Sequence, residues 1–125
     1  MQATLLVFLG GGLGAAARHG VNIAVSRLMG SGFPWHTLVV NFSGCLVMGL
    51  LAGWFALKGG GTQGLRLFLT TGICGGFTTF SAFSLDAVLL WERGATGVAA
   101  AYVAASIALS IAGLVAGLAL VRSLA

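Results

Sequence analysis

Residues 75–84 read GGFTTFSAFS, a stretch that combines a glycine pair with four hydroxyl side chains and three phenylalanines. A soluble core has little use for the hydroxyls, and a surface loop has little use for the phenylalanines. The stretch therefore indicates a polar site inside an apolar protein. Gly72, Gly75 and Gly76 also predict a break in a helix here, because glycine destabilises a helix interior by about 1 kcal/mol relative to alanine.

The composition of the whole chain indicates that its solvent is a lipid bilayer. Of the 125 residues, 58% are hydrophobic and 6% are charged, whereas ordinary soluble domains carry about 25% charged residues. Only helices and closed barrels satisfy their backbone hydrogen bonds in a bilayer. The apolar runs are continuous and about twice as long as the roughly ten-residue strands of a barrel, which favours helices.

Four membrane spans are predicted, each near the roughly 20 residues that cross a hydrocarbon core. Their approximate limits are residues 4–28, 35–57, 65–91 and 96–121. The connections are short and carry turn residues (GSGFP, GGGT and ERG), so the chain is predicted to be one transmembrane domain over 1–125. The first span lacks a basic start and is too long for the core of a cleaved signal peptide.

Three of these spans carry small or polar residues on a single helical face. The members are Gly10, Gly14, Arg18 and Asn22 in the first span, Thr37 and Asn41 in the second, and Ser106 and Ser110 in the fourth. Such stripes can simply hold helices together, but a buried arginine normally marks a site or a water-filled path. No member is acidic, and amide, hydroxyl and guanidinium donors suit an anion. The positive ring edges of Phe80 and Phe83 suit the same anion.

Other patterns in the chain argue against soluble and enzymatic functions. Residues 12–17, GLGAAA, match the dinucleotide fingerprint G-x-G-x-x-A, but no acidic residue follows about 20 positions later. Cys45 and Cys74 have no metal-binding spacing and are expected to be small buried residues. His19 and His36 have no partnered carboxylate or thiol and are expected at span ends, so no enzyme is predicted.

The charges outside the spans favour neither orientation in the membrane. Lys58, Arg66 and Arg122 lie on the side of the termini, and Arg27 and Arg93 lie on the other side. Three cations against two is a very weak bias under the positive-inside rule. The chain is therefore able to insert both ways and form an inverted pair, although the same counts fit cations placed by local constraints alone.

Three segments resemble the Fluc family of fluoride channels, also called CrcB: GGGLGAAARHGVN at 10–22, HTLVVNFSGCLVMG at 36–49 and GICGGFTTFSAFS at 72–84. The length and the four-span layout match over essentially the whole chain. The resemblance implies an all-α membrane protein that assembles as an inverted, dual-topology homodimer in a prokaryotic inner membrane. It also implies passive fluoride export through two pores, down the electrochemical gradient, and a structural sodium ion at the dimer centre.

The resemblance also assigns roles to individual residues. It implies that Phe80 and Phe83 flank fluoride and that Asn41 is the pore amide, and it extends the pathway to Thr37, Ser81, Ser106, Ser110 and Arg18, the last near an aqueous mouth. Sodium would be bound by the backbone carbonyls of Gly75 and Thr78. The chain departs from the family pattern at Ala82, where a hydroxyl residue is frequent, and at His19, where an aromatic residue is common.

Two other classes of function remain open on the residues alone. A small dimeric multidrug or cation exporter fits the size, the four spans and the dual topology. Such exporters use an intramembrane glutamate in the first span, where this chain has Arg18 and no acid. An accessory subunit that only packs against another membrane protein fits the same features. Fluoride movement into or out of liposomes that contain only this protein would separate a channel from an accessory subunit.

Overall fold

The computed structural model describes residues 1–124, and these are helical apart from short connections. Helix α1 spans Gln2–Met29, α2 spans Trp35–Lys58 and α6 spans Thr96–Ser123. Between α2 and α6 the chain forms four helical pieces: α3 (Gln63–Leu67), a π-helical segment (Phe68–Cys74), α4 (Gly75–Phe77) and α5 (Phe80–Glu92). The prediction of an all-helical protein is confirmed for the described residues.

Glycines end the first two long helices, where the chain has to reverse direction. Gly30 follows α1 with a φ angle of 78°, and Gly59 follows α2 with a φ angle of 57°. Residues with a Cβ rarely adopt this region of backbone space. Each glycine N–H donates to a carbonyl one turn back, on Ser26 and Phe55 respectively. The glycine-rich turns in the sequence therefore coincide with helix ends.

Three helical stretches are long and apolar enough to cross a membrane: Trp35–Lys58, Gln63–Glu92 and Thr96–Ser123. Helix α1 has 28 residues, or about 42 Å of helix, but it is less apolar because it carries residues such as Arg18 and Asn22. Many large apolar side chains are exposed among the described residues, from Leu, Ile, Val, Met, Phe and Trp. A surface of this kind requires lipid around it, so the protein is a helical membrane protein.

Glycines let the helices of this bundle approach each other closely. A Cβ added at Gly10 of α1 would lie 2.6 Å from the carbonyl oxygen of Phe68. One added at Gly117 of α6 would lie 2.7 Å from the backbone nitrogen of Leu50 in α2. Both distances are too short for a real Cβ, so these positions require glycine. Small residues at helical spacing thus form the two main helix contacts, α1 with the 63–77 segment and α2 with α6.

The third predicted span is interrupted, but later in the chain than the glycines indicate. Residues 72, 75 and 76 are all helical. The backbone leaves the helix only at Thr78, with φ and ψ of −78° and 155°, and at Thr79, with −150° and 118°. The prediction of a break at the glycines is therefore wrong in position. Gly72 and Gly76 serve close packing against α1 instead, because a Cβ at either would meet its backbone.

Candidate ion-binding groove

A groove of about 340 Å³ lies between α2, the helix break and α6. Its lining includes Asn41, Phe80, Phe83, Ser106 and Ser110, five of the residues that the resemblance assigns to the fluoride pathway. The five side chains come from three different helices, and only the tertiary structure brings them together. The remaining lining is largely apolar, so the few amide and hydroxyl groups are the polar contacts available to an occupant.

The two phenylalanines of the groove lie side by side. The ring centroids of Phe80 and Phe83 are 5.4 Å apart, and their planes are inclined by 52°. Phe83 is 8% exposed and packs against Tyr102, whereas Phe80 is 78% exposed. One ring is therefore fixed in the protomer core, and the other lies on the open side of the groove.

Asn41 holds the helix break with both ends of its side-chain amide. Its Oδ1 accepts a hydrogen bond from the backbone N–H of Thr79 at 2.8 Å, and its Nδ2 donates to the Thr79 carbonyl at 3.0 Å. An asparagine amide has two N–H donors, so one remains for the groove. That Asn41 donates to an anion stays a prediction, and the structure adds a second role, since Asn41 positions Thr79.

The same hydrogen bonds free two backbone carbonyls at the break. In a continuous helix the N–H of Thr79 would donate to the carbonyl of Gly75, and the N–H of Ala82 would donate to that of Thr78. Here the Thr79 N–H donates to Asn41 instead, and the Ala82 N–H donates to the Thr79 hydroxyl at 3.1 Å. Both carbonyls therefore lose their helical partners. Carbonyl oxygens freed in this way are suitable ligands for a cation.

Thr37 lies outside this groove and is 2% exposed. Its hydroxyl donates to Oδ2 of Asp86 at 2.7 Å, and the hydroxyl of Tyr102 donates to the same oxygen at 3.0 Å. A carboxylate removed from water needs such donors. Because the single proton of the Thr37 hydroxyl is used by Asp86, Thr37 has none to donate to an anion in this arrangement. Its place in the fluoride pathway stays a prediction.

Asp86 and Tyr102 are the residues that sequence reasoning missed. The polar stripes contain no acid in the sequence, but the structure joins Asp86 to the stripe of α2 through Thr37. The available signal was Asp86 itself, since an ionisable residue inside a predicted span calls for a partner. Tyr102, the only tyrosine of the chain, gave no periodic signal. The interpretation of the polar stripes as free of carboxylates is therefore corrected.

Arg18 and Ser81 line a second groove, of about 470 Å³, together with His19 and Asn22. Thr79 lines both grooves, and its hydroxyl lies 3.2 Å from that of Ser81. Each groove also has a residue with a buried polar atom that lacks a partner among residues 1–124: Ser106 Oγ in the first and Asn22 Oδ1 in the second. An unpaired buried polar atom costs about 1–3 kcal/mol.

The fold and the groove define a class of protein: a small helical membrane protein with an interrupted helix, beside which aromatic, amide and hydroxyl groups line one groove. The sequence profile of the family described as "CrcB-like protein, Camphor Resistance (CrcB)" matches residues 5–118. The chain belongs to this family, and the resemblance seen in the three sequence segments is confirmed.

Similar relatives carry the name "Fluoride-specific ion channel FluC". One from Rhodopseudomonas palustris (strain BisB5) is 66% identical over 96% of this chain and 97% of its own length. One from Methylobacterium nodulans is 62% identical over 98% of both chains. One from Beijerinckia indica is 53% identical over 100% of both. The similarity extends over nearly the full length of each protein.

Proposed function

We propose that the protein is a fluoride-selective ion channel that lets fluoride leave the cell passively, down its electrochemical gradient, and so lowers cytoplasmic fluoride. The observation that carries the proposal is the meeting of Asn41, Phe80, Phe83, Ser106 and Ser110 in one groove. The relatives support it, because they are named as fluoride-specific ion channels and match over nearly their full length. The function is that of a channel and not of an enzyme.

The groove contains hydrogen-bond donors that can bind an anion without holding it too tightly. Ser106, Ser110 and the free N–H of Asn41 are uncharged donors, and the phenylalanine ring edges carry partial positive charge. A dehydrated fluoride ion needs donors in place of water, but a conducting site must also release the ion. Uncharged donors meet both requirements. The Ser106 hydroxyl has no hydrogen-bond partner among the described residues, so its proton is not committed elsewhere.

We propose further that two antiparallel subunits form the working channel in the inner membrane. The channel has two pores, one along the Asn41 groove of each subunit. Phe80 and Gly75 are both exposed on the protomer, although both lie in the middle of the Gln63–Glu92 stretch. A second subunit would cover them. The near-even distribution of cations between the two ends of the chain is compatible with insertion in both orientations.

We propose that the carbonyls of Gly75 and Thr78 bind a sodium ion at the centre of this dimer. Both oxygens lose their helical partners through the capping by Asn41 and Thr79, and a hard monovalent cation prefers oxygen ligands. Two subunits would contribute this pair of carbonyls each. When bound, the ion supplies a positive charge at the subunit contact, while Asn41 and the Thr79 hydroxyl keep the carbonyls in place.

Ion efflux from liposomes that contain only this protein tests the proposed function. Fluoride is expected to leave much faster than chloride, and protein-free liposomes give the background leak. An accessory subunit would move neither ion. A cation exporter would move a cationic substrate in response to a proton gradient and would leave passive fluoride efflux at background. Either of these results would refute the channel.

Both membrane orientations are expected in comparable amounts, because the cations are nearly balanced between the two ends. A tag at the C-terminus, scored for accessibility from each side of the membrane, measures the ratio. A matched variant with Ser31→Lys and Thr96→Lys adds two cations to one end and is expected to shift the ratio strongly. Nearly all wild-type molecules in a single orientation would contradict the antiparallel dimer.

Phe80→Ile is expected to lower fluoride efflux by about fivefold, since an aromatic contact contributes on the order of 1 kcal/mol beyond area burial. Isoleucine keeps bulk and apolarity but removes the positive ring edge, so the variant separates electrostatics from packing. Phe80→Tyr and Phe80→Met are expected to lower fluoride efflux less than Phe80→Ile does. Phe8→Ile is the control, because Phe8 is 74% exposed on α1 and lies outside the groove. Folded Phe80→Ile dimers with wild-type efflux would reduce Phe80 to a packing residue.

A further inference from the structure

His36 lies at the end of a hydrogen-bond chain that leads to Asp86. Nδ1 of His36 is 3.1 Å from the hydroxyl oxygen of Thr37. The Thr37 hydroxyl reaches Asp86 Oδ2 at 2.7 Å, and the Tyr102 hydroxyl reaches the same oxygen at 3.0 Å. Thr37 is 2% exposed and Tyr102 is 0% exposed, so water has little access to compete for these bonds.

The chemistry of the four groups determines the direction of each hydrogen bond. An ionised carboxylate only accepts, and a hydroxyl has one proton to donate. The Thr37 hydroxyl donates its single proton to Asp86. In its contact with His36, the Thr37 hydroxyl oxygen is therefore the acceptor. The imidazole proton therefore lies on Nδ1 of His36, and Nε2 carries the free lone pair. His36 can take up a second proton at Nε2 without breaking the chain.

The same histidine lines a cavity of about 160 Å³ at the end of the protein where α1 and α5 terminate. Among the residues that the structure describes, the charged groups lining this cavity are Asp86 and Arg93. Tyr102 reaches Asp86 from α6, and the lining residue contributed by α1 is the uncharged Ser26. The formal charges of Asp86 and Arg93 cancel. The charge on His36 therefore decides whether the cavity is neutral or positive.

We propose that His36 is a positioning residue that keeps Thr37 donating to Asp86, and that protonation of His36 makes this end of the channel more attractive to fluoride. The proposal rests on the proposed function, because it requires fluoride to cross this end of the protein. Fluoride efflux is therefore expected to be higher when His36 carries a second proton than when it is neutral. The expected rise is about two- to fourfold, the effect of a unit charge roughly 5 Å from the ion in a water-filled cavity.

Two substitutions separate the hydrogen bond from the charge. His36→Asn places an amide N–H near the position of Nδ1 but cannot take up a proton, so its ratio of efflux at pH 6 to efflux at pH 8 is expected to be near one. His36→Ala removes the donor as well and is expected to lower efflux below that of His36→Asn at both pH values. Ser43→Ala is the control, because the Ser43 hydroxyl bonds only to carbonyls of its own helix, and it is expected to keep the wild-type ratio. Protein-free liposomes at each pH correct for the leak of hydrogen fluoride.

A wild-type ratio near one, or an unchanged ratio in His36→Asn, would overturn the proposal. A second measurement does not depend on transport: long-range ¹⁵N–¹H correlation spectra of histidine-labelled protein at pH 8, where an ordinary histidine is neutral. The signal that disappears in His36→Asn is expected to show the Nδ1–H tautomer, and an Nε2–H tautomer would exclude the hydrogen-bond chain. If the wild type moves no fluoride at all, the proposed function fails, while the tautomer still decides whether His36 positions Thr37.

Discussion

Replacing Asn41 by leucine is expected to lower fluoride efflux at least about tenfold. The substitution removes both hydrogen bonds that join α2 to Thr79, at 2.8 and 3.0 Å. It leaves a partly buried N–H and carbonyl unpaired, at about 1–3 kcal/mol each, and it takes one donor away from the groove. The break is then free to rearrange, so both the pore and the freed carbonyls beside it are affected. Efflux from liposomes and the elution volume of the purified protein measure the effect.

Two further variants show which function of Asn41 matters. Asn41→Asp keeps an acceptor for the Thr79 N–H but loses the donors and adds a negative charge, so it is expected to fold better than Asn41→Leu and still conduct poorly. Ser43→Ala is the control two residues along α2, because the Ser43 hydroxyl bonds only to carbonyls of its own helix. Its efflux is expected to stay near wild type. An Asn41→Leu protein that conducts like Ser43→Ala would show that Asn41 neither holds the break nor serves the pore.

Gly76→Ala is expected to prevent folding, while the same change one residue earlier, Gly75→Ala, is expected to be tolerated by the protomer. A Cβ at Gly76 would lie 2.9 Å from the Cα of Gly11 and would also meet its carbonyl oxygen. Overpacking of this kind costs about 1–3 kcal/mol or more, and backbone cannot move aside as a side chain can. A Cβ at Gly75 would meet only the carbonyl oxygen of Thr70, at 3.7 Å, an ordinary contact.

The yield of monodisperse protein and its resistance to denaturing detergent measure this difference. Equal stability of the two variants would show that α1 does not pack against the 63–77 segment as closely as described. Gly75→Val extends the test to the proposed dimer: the bulkier side chain is expected to lower the dimer fraction while the helix content of the protomer stays unchanged. An undisturbed dimer in Gly75→Val would argue against a subunit contact and a cation at this carbonyl.

The helix break connects the two main proposals, because the same few hydrogen bonds shape the groove and free the carbonyls. Thr79 lines both grooves, is held by Asn41 and caps α5 through its hydroxyl. The cluster of glycine, hydroxyl and aromatic residues at 75–84 thus has several separate uses. Gly76 packs against α1 while Gly75 is exposed, the Thr79 hydroxyl caps α5, and Phe80 and Phe83 line the groove.

Much of this protein follows from its sequence without the structure. A charged fraction of 6% and long apolar runs leave a bilayer as the solvent, and a bilayer requires helices whose backbone bonds are internal. The helix ends can also be predicted, because Gly30 and Gly59 lie where the backbone adopts a positive φ, a conformation that favours glycine. These features depend on local residue types and on solvent, and both can be read from the chain alone. The family also follows from it, because the 72–84 motif is specific.

Only the tertiary structure decided the role of each small or polar residue: whether a glycine breaks a helix or packs against a neighbour, and which group a hydroxyl contacts. Glycine weakens a helix whether it breaks the helix or packs against a neighbour, so the position of the break depended on Asn41 and Thr79, 38 residues apart in the chain. Thr37 and Ser106 look alike in sequence, but the Thr37 hydroxyl donates to Asp86, whereas the hydroxyl of Ser106, a residue that lines the groove, has no partner in the described residues. A hydroxyl bonds to whichever group the fold brings within about 3 Å, and that neighbour is a property of packed helices and not of the residue.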